Sequence, residues 1–195
     1  MSHRTEPLPP LTGLPHIIRE MRYHEASRQW LGFILCIIFV VVAEPVAWAV
    51  YVSTPIVVLG VCVRLWASGF IMKNKGLATN GPYALVRHPL YTGNILIVYA
   101  FAGASGLWWT FIVATIFFVF YYPPAIEYED RKLSKIFGDT WQDFGNNTPA
   151  LMPSLGGRDR DLSGNWSLKT SMVANYEPVI AVLLLAAFFY IYAGL

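Results

Sequence analysis

Long apolar runs dominate the pattern of hydrophobic and polar positions along the chain, and short polar stretches separate them. A helix that crosses a lipid bilayer needs roughly 20 mostly apolar residues. The pattern predicts five such helices, at residues 30–51, 54–72, 90–104, 107–122 and 172–195. A short Gly-Ala-Ser-Gly segment joins the third helix to the fourth, which predicts a tight helical hairpin. The predicted fold class is therefore all-α, a polytopic membrane protein with about five transmembrane helices.

Composition agrees with a membrane protein, since 55% of the 195 residues are hydrophobic and only 13% are charged. Soluble domains carry about 25% charged residues, so an ordinary water-soluble enzyme is excluded. The formal net charge is only +2, and no basic run alternates with aromatic residues. Nucleic acid is therefore excluded as a partner, and membrane lipids are expected instead.

The positions of the basic residues predict how the helices are oriented. Of the 14 Lys and Arg residues, all except Arg64 lie before the first predicted helix, between the second and third, or between the fourth and fifth. With five crossings these three segments face one side, and an excess of Lys and Arg marks the cytoplasmic side. We expect an integral, multi-pass protein with a cytoplasmic N-terminus and a C-terminus on the opposite side.

The chain divides into two regions. Residues 1–29 are predicted to form a cytoplasmic arm, and prolines extend its first half. Within the arm, residues 17–28 combine Ile and Met with Arg, which fits either a short helix on the membrane surface or a disordered leader. Residues 30–195 are predicted to form a single membrane domain, in which 73–91 and 122–171 make up the cytoplasmic face.

Three charged residues lie within the predicted helices. Arg64 falls about midway along the second, and an Arg at the centre of a helix costs about 2.5–3.5 kcal/mol on insertion scales. Arg64 is therefore expected to face protein and to pair with Glu44 of the first helix. Such a pair is either a clasp between two helices or part of a substrate path. Glu177 is expected near the membrane interface.

Two cytoplasmic segments concentrate polar side chains. Arg87 and His88 precede Pro89, which suits the first turn of a helix. The N-terminus of that helix offers amide donors and a dipole that favour an anion. Glu129 and Asp130 extend from the fourth helix at the same face, so acids and bases are expected to meet there. The combination suits a small zwitterion. Taken singly, the pairs also fit a basic pair beside the membrane and a solvated charged face.

Motifs with fixed spacing connect these segments over residues 60–153. Residues 87–93 read Arg-His-Pro-Leu-Tyr-Thr-Gly. Around them the spacing is kept by Leu77, Gly81, Tyr83, Glu129, Asp130, Leu133, Phe137, Gly138, Trp141, Phe144, Thr148, Leu151 and Pro153. In this arrangement the sequence resembles the isoprenylcysteine carboxyl methyltransferase family and its phospholipid methyltransferase relatives, with Asp, Trp and Phe replacing a Glu and two Tyr.

The resemblance implies an integral membrane methyltransferase that takes its methyl group from S-adenosylmethionine in a cytoplasmic cofactor-binding segment. The acceptor would be a lipophilic small molecule or lipid that enters from the bilayer. Catalytic roles are implied for Arg87, His88 and Glu129, and no metal is implied. The implied cofactor contacts are Lys75, Gly76, Leu77, Ala78, Tyr83, His88, Pro89, Leu90, Tyr91 and Glu129.

Two positions depart from the family pattern. Lys75 stands where the family has His, and Ala125 stands where prenylcysteine enzymes place an Arg that faces the substrate carboxylate. Without that Arg, an acceptor carboxylate loses a charge-assisted hydrogen bond worth about 1.5–3 kcal/mol. A lipid amine, a thiol or another apolar nucleophile therefore fits better than a prenylcysteine-like carboxylate.

Two other functions stay open from the sequence. Sterol-type membrane reductases that use NADPH resemble the Arg-His-Pro-x-Tyr segment, but they tend to place Glu after the glycine of the motif, where this chain has Asn94. The other alternative is a non-catalytic membrane module that binds lipid. The intact motif at 87–93 argues against it.

Overall fold

Helices make up all the regular structure in the part of the chain that the structure describes. The structure is a computed structural model, and it describes residues 12–13, 25–70, 76–153, 161–174 and 176–195. The all-α expectation is confirmed for these residues. The α-helices are α1 (Glu25–Val41), α2 (Ala47–Ser68), α3 (Pro89–Ala104), α4 (Trp108–Phe137), α5 (Asp139–Asn147) and α6 (Glu177–Ala193), with a 3₁₀ helix at Gly81–Ala84 and a π-helical turn at Thr170–Ala174.

Two of these helices, α2 and α4, are long and apolar enough to cross a membrane. The apolar parts of α1, α3 and α6 are shorter, between 10 and 17 residues. The count of five membrane crossings therefore stays a prediction. The predicted surface helix at 17–28 falls outside the described residues up to position 24, and α1 is already helical from Glu25.

The boundary between the first two helices was predicted in the wrong place. α1 ends at Val41 and α2 begins at Ala47, whereas the sequence pattern placed this break at 52–53. The physical reason is Pro45, since a proline disfavours helical geometry at the residue before it and lacks an amide donor. Pro55, by contrast, lies inside α2, where the surrounding helices tolerate it.

The predicted helical hairpin is confirmed. α3 ends at Ala104, α4 begins at Trp108, and Pro89 occupies the first turn of α3. α4 extends far beyond the predicted end at 122, through a pair of prolines, to Phe137. This extension carries the acidic pair Glu129-Asp130 on the same rigid helix as the apolar residues that anchor it.

The loops gather at two opposite ends of the helix bundle. At one end the Glu44 amide donates a hydrogen bond to the carbonyl oxygen of Ser105 over 2.8 Å. A Cβ atom at Gly194 would lie 3.8 Å from Pro45, so the C-terminal end of α6 belongs to the same cluster. The other end carries the starts of α3 and α6 and the extension of α4, and the polar side chains lie there.

α2 and α3 pack closely because glycines face each other where they meet. A Cβ atom at Gly60 would lie 2.9 Å from the carbonyl oxygen of Gly93, and a Cβ atom at Gly93 would lie 2.9 Å from the carbonyl oxygen of Gly60. Around this contact a continuous apolar core joins α1, α2, α3, α4 and α6. Phe101 of α3 meets Phe188 of α6 edge-to-face in this core, with ring centroids 5.4 Å apart.

Candidate functional site

The basic pair before α3 and the acidic pair of α4 form one cluster. The Nε2 atom of His88 lies 2.8 Å from Oδ1 of Asp130, and its Nδ1 atom lies 3.6 Å from Oε2 of Glu129. Arg87 Nη2 lies 3.4 Å from the other carboxylate oxygen of Asp130. A carboxylate oxygen accepts hydrogen bonds, so Nε2 of His88 is the donor in its contact with Asp130. Nδ1 faces Glu129 on the other side of the ring.

Exposure differs sharply within this cluster. The side chain of His88 is 3% exposed and that of Asp130 is 23% exposed, whereas that of Glu129 is 44% exposed. Asp130 therefore fixes the imidazole from inside the protein. Glu129 keeps carboxylate oxygen that a ligand can reach.

Arg87 is held by α5 as well as by Asp130. Its Nη1 atom donates a hydrogen bond to the carbonyl oxygen of Gly145 over 3.1 Å, and its guanidinium carbon lies 5.9 Å from the ring centre of buried Trp141. Within the described part of the chain, its buried Nε atom has no hydrogen-bond partner. One buried donor of the cluster is therefore unsatisfied by the described residues.

The segment after α5 fixes the start of α3. The amides of Arg87 and His88 donate hydrogen bonds to the carbonyl oxygens of Pro149 and Ala150, and the hydroxyl of Thr92 donates to that of Leu151 over 2.7 Å. The amide of Tyr91 bonds to the carbonyl oxygen of His88. These amides already have protein acceptors and the basic side chains face carboxylates, so the expectation that the N-terminus of α3 receives an anion stays a prediction.

Two tyrosines lie beside the cluster. Tyr91 stacks on His88 with ring centroids 5.4 Å apart, and Tyr122 of α4 lies 5.1 Å from Tyr91. Tyr83 is half-buried in the 3₁₀ helix. Burial raises the pKa of the Tyr83 hydroxyl far above its usual value, and the charges of Glu129 and Glu177 raise it further. Tyr83 therefore stays neutral, and carboxylates of both α4 and α6 contribute to its raised pKa.

A second polar group was not found from the sequence. Arg64 pairs with Glu177, with Nε 3.1 Å from Oε2 and Nη2 2.5 Å from Oε1, and its Nη1 donates to the Oδ1 of Asn94. The predicted pair of Arg64 with Glu44 is therefore wrong, since Glu44 lies in the loop between α1 and α2, at the other end of the bundle. Glu177 was expected at the membrane interface, and it is only 4% exposed.

The remaining residues that were expected to contact the cofactor are less closely associated with the cluster around His88. Gly76, Leu77 and Ala78 lie in an irregular segment before the 3₁₀ helix, and no hydrogen bond or ion pair joins them to the cluster within the described residues. Pro89 is buried and Leu90 half-buried in the first turn of α3. Lys75 lies outside the described residues. Over the described ranges, no group of three or more His, Cys, Asp and Glu is placed to hold a metal ion.

Comparison with known families gives one match that covers most of the helix bundle. The profile of the phospholipid methyltransferase family matches residues 27–140. This range contains α1 from residue 27 onwards, the whole of α2, α3 and α4, and the four charged residues Arg87, His88, Glu129 and Asp130.

The curated relatives have two kinds of names. The chain is 36% identical over 94 residues to the cobalt-zinc-cadmium resistance protein CzcN of Cupriavidus metallidurans, covering 47% of this chain and 43% of that protein. It is 33% identical over 94 residues to the nickel-cobalt-cadmium resistance protein NccN of Alcaligenes xylosoxydans xylosoxydans, covering 47% of this chain and 44% of that protein.

A third relative is named for a reaction. The chain is 33% identical over 78 residues to methanethiol S-methyltransferase 2 of Bradyrhizobium diazoefficiens, covering 40% of this chain and 29% of that protein. The chain thus matches less than half the length of each of these relatives. No solved structure matches it significantly.

Proposed function

Since the chain belongs to the phospholipid methyltransferase family, we propose that it is an integral membrane methyltransferase that uses S-adenosylmethionine to methylate a lipophilic acceptor. The observation that carries this proposal is the 2.8 Å contact between His88 and Asp130. It joins the motif at the start of α3 to the acidic motif of α4, 42 residues later. The two motifs that the resemblance identified therefore form one site.

The side chains of this site suit the donor. S-adenosylmethionine presents an ammonium group, ribose hydroxyls, a carboxylate and an adenine ring. The exposed carboxylate of Glu129 suits the ammonium or the ribose hydroxyls, and the unpartnered Nε of Arg87 suits an anionic oxygen. Tyr83 and Tyr91 offer aromatic faces for adenine. When bound, the donor supplies a methyl group on a positively charged sulfonium and leaves as S-adenosylhomocysteine.

The protein contributes mainly positioning. Methyl transfer requires nucleophile, methyl carbon and sulfur in line, and holding reactants in such a geometry lowers the barrier substantially. Asp130 fixes the ring of His88, and Trp141 and Gly145 fix Arg87. These three supports come from α4 and α5, so the site is held by helices rather than by flexible loops.

The acceptor class follows from the position that lacks a cation. Ala125 is 3% exposed on α4, so the chain places no charge where prenylcysteine enzymes are expected to have an Arg. A lipid amine or a thiol therefore suits the site better than a carboxylate. The relative named methanethiol S-methyltransferase 2 supports a thiol among these acceptors.

The proposal extends to the membrane. We place the cluster around His88 and the N-terminus on the cytoplasmic side, with α1, α2, α3, α4 and α6 crossing the bilayer and the C-terminus on the other side. The distribution of Lys and Arg supports this orientation, and α2 and α4 are long enough to cross.

Ligand binding to the purified full-length protein in detergent tests the donor. At a hundredfold excess over the dissociation constant, a ligand that binds only the folded state stabilises it by about 2.7 kcal/mol. We expect S-adenosylmethionine and S-adenosylhomocysteine to raise the thermal unfolding midpoint and NADPH to leave it unchanged. A response to NADPH alone would replace the proposal with a reductase, and no response to any of the three would favour a non-catalytic module.

Replacing single carboxylates tests the site. Glu129→Ala is expected to abolish stabilisation by S-adenosylhomocysteine while the midpoint without ligand stays close to that of the parent. Glu127→Ala is the matched control, because Glu127 lies on the same helix and pairs with Arg131 at the surface. Equal stabilisation of both variants would show that Glu129 does not hold the donor.

A further inference from the structure

A cavity of about 260 Å³ lies among α1, α2, α3, α4 and α6. Apolar side chains form most of its wall, among them Phe33, Ile97 and Leu184. Gln29, Arg64 and Asn94 also line it, and because Arg64 and Asn94 hydrogen-bond to each other, their polar atoms share one part of the wall. The cavity is therefore an apolar chamber with a polar end.

The wall of the cavity includes residues of α1 and α6 that are also exposed on the surface of the bundle. Trp30 of α1 and Leu183 of α6 both line it, and they are 66% and 52% exposed on the outer face of the bundle. In the proposed orientation this outer face meets lipid. A lipophilic molecule can therefore enter from the bilayer without crossing water.

The inner part of the cavity adjoins the cluster around His88. Tyr122 lines the cavity, its ring lies 5.1 Å from that of Tyr91, and Tyr91 stacks on His88. The polar end of the cavity and the proposed donor site are therefore neighbours.

The polar end carries N–H donors but no net charge. A guanidinium has five donors, and Glu177 and Asn94 take three of those of Arg64. Glu177 balances the positive charge of Arg64. In the described part of the chain the side-chain amide nitrogen of Asn94 has no acceptor. The free N–H groups therefore suit a ligand atom that accepts hydrogen bonds and gains negative charge.

We propose that this cavity binds the methyl acceptor and that the acceptor is an uncharged, single-chain lipophile that ends in a thiol. The inference rests on the methyltransferase function proposed above. A thiol becomes an anion before it attacks, and N–H donors stabilise that anion. An attacking amine gains positive charge instead, which the same donors oppose. A two-chain phospholipid exceeds a cavity of this volume and brings a charged headgroup to an end without net charge.

The transfer balances without a further reactant. The bond between the methyl carbon and the sulfonium breaks, and its electron pair stays on the donor sulfur. A bond forms between the acceptor sulfur and the methyl carbon. The thiol proton is released to solvent, so the products are a methyl thioether, S-adenosylhomocysteine and a proton.

Acceptor preference is the first test. The full-length protein in lipid nanodiscs is supplied with S-adenosylmethionine and with octanethiol, octylamine or lysophosphatidylethanolamine, and S-adenosylhomocysteine formation is followed. We expect kcat/KM for octanethiol to exceed that for the two amines at least tenfold. Equal or faster turnover of either amine would overturn the thiol assignment.

Substitutions in the cavity wall are the second test. Gly32 lines the cavity, and a Cβ atom there makes only ordinary contact with Phe117, at 3.6 Å. Gly32→Leu fills the chamber and is expected to raise KM for octanethiol at least tenfold while stabilisation by S-adenosylhomocysteine stays unchanged. Ile34→Leu, on the exposed face of the same helix, is the matched control. An unchanged KM in folded Gly32→Leu would show that the acceptor binds elsewhere.

A charge variant keeps the test decisive if Gly32→Leu fails to fold. Asn94→Asp places a carboxylate at the polar end, so kcat/KM for octanethiol is expected to fall at least tenfold more than that for octylamine. Equal effects on both acceptors would overturn the role of the polar end. If S-adenosylmethionine fails to stabilise the parent protein and no acceptor yields S-adenosylhomocysteine, both the function and this inference are wrong. If the parent protein binds the donor and turns over, but the cavity variants behave like the parent, only this inference is wrong and the proposed function stands.

Discussion

At the scale of single residues, two buried basic groups of the described chain are each held by a carboxylate. Asp130 holds the imidazole of His88, and Glu177 neutralises Arg64. Burial raises the pKa of the Tyr83 hydroxyl, and the charges of Glu129 and Glu177 raise it further. The pKa of Tyr83 therefore depends on carboxylates of both α4 and α6.

The pH dependence of stability tests the surroundings of Tyr83. Its pKa is raised in the folded state, whereas in the unfolded chain it is about 10. Below pH 10 both states keep the proton, so the full stabilising contribution is present. Above pH 10 only the unfolded state loses the proton, and stability falls by about 1.4 kcal/mol per pH unit.

Tyr83→Phe has no hydroxyl that can titrate, so it lacks this loss of stability. The difference between parent and variant therefore separates the effect of Tyr83 from that of all other titrating groups. We expect the unfolding midpoint of the parent to fall faster than that of the variant between pH 9 and pH 11, measured by thermal denaturation in detergent. Parallel curves would mean that Tyr83 titrates normally and that the two carboxylates do not act on it.

The sequence predicted the first polar group of the site but not the second. The Arg-His-Pro motif and the acidic pair are each short and local, and their polar character together with the family resemblance identified them. The partner of Arg64 depended on the exact bounds of α2. With the break wrongly placed beside Pro55, Arg64 seemed central in its helix and Glu44 equally deep. With α2 ending at Ser68, Arg64 lies near the site end, at the same level as Glu177, where α6 begins.

At the scale of elements, the contact between α2 and α3 sets the position of the site. Gly60 and Gly93 let the two backbones approach closely, which brings Arg64 of α2 to Asn94 of α3. The length of α4 then carries Glu129 and Asp130 past the apolar core to the start of α3. The polar groups that meet are therefore determined by the lengths of the helices and the positions of the glycines, rather than by the loops.

Gly93→Ala tests this packing. The added Cβ would lie 2.6 Å from Cγ of Arg64 and 2.9 Å from the carbonyl oxygen of Gly60, and the backbone oxygen cannot move without shifting α2. Overpacking of this kind costs about 1–3 kcal/mol, so the unfolding midpoint in detergent is expected to drop. Gly32→Ala is the control, since its Cβ makes ordinary contact. Equal midpoints for both variants would contradict the close approach.

At the scale of the whole molecule, the two ends of the bundle differ in character. One end holds the loop between α1 and α2, the hairpin turn and the C-terminal end of α6, and these are tied together by short contacts. The other end holds the polar cluster, the 3₁₀ helix and α5. Because the two ends are distinct, the proposed orientation in the membrane can be tested at each end separately.

Reporter fusions in a bacterial host test the orientation. Alkaline phosphatase, which is active only outside the cytoplasm, is expected to be active after Leu195 and inactive after Gly138. Green fluorescent protein is expected to show the opposite pattern. The same reporter active at both positions would mean that an even number of crossings separates Gly138 from Leu195, against the proposed topology.

The buried pair of Arg64 and Glu177 also imposes an order on biosynthesis. The two residues are 113 positions apart, so a ribosome completes α2 long before the carboxylate that neutralises it exists. Until α6 is made, no carboxylate of that helix neutralises the guanidinium of Arg64. A chain interrupted before Glu177 keeps this charge unpaired, and an unpaired buried charge is strongly destabilising. The pair therefore forms late in synthesis, after α2, α3 and α4 have been made.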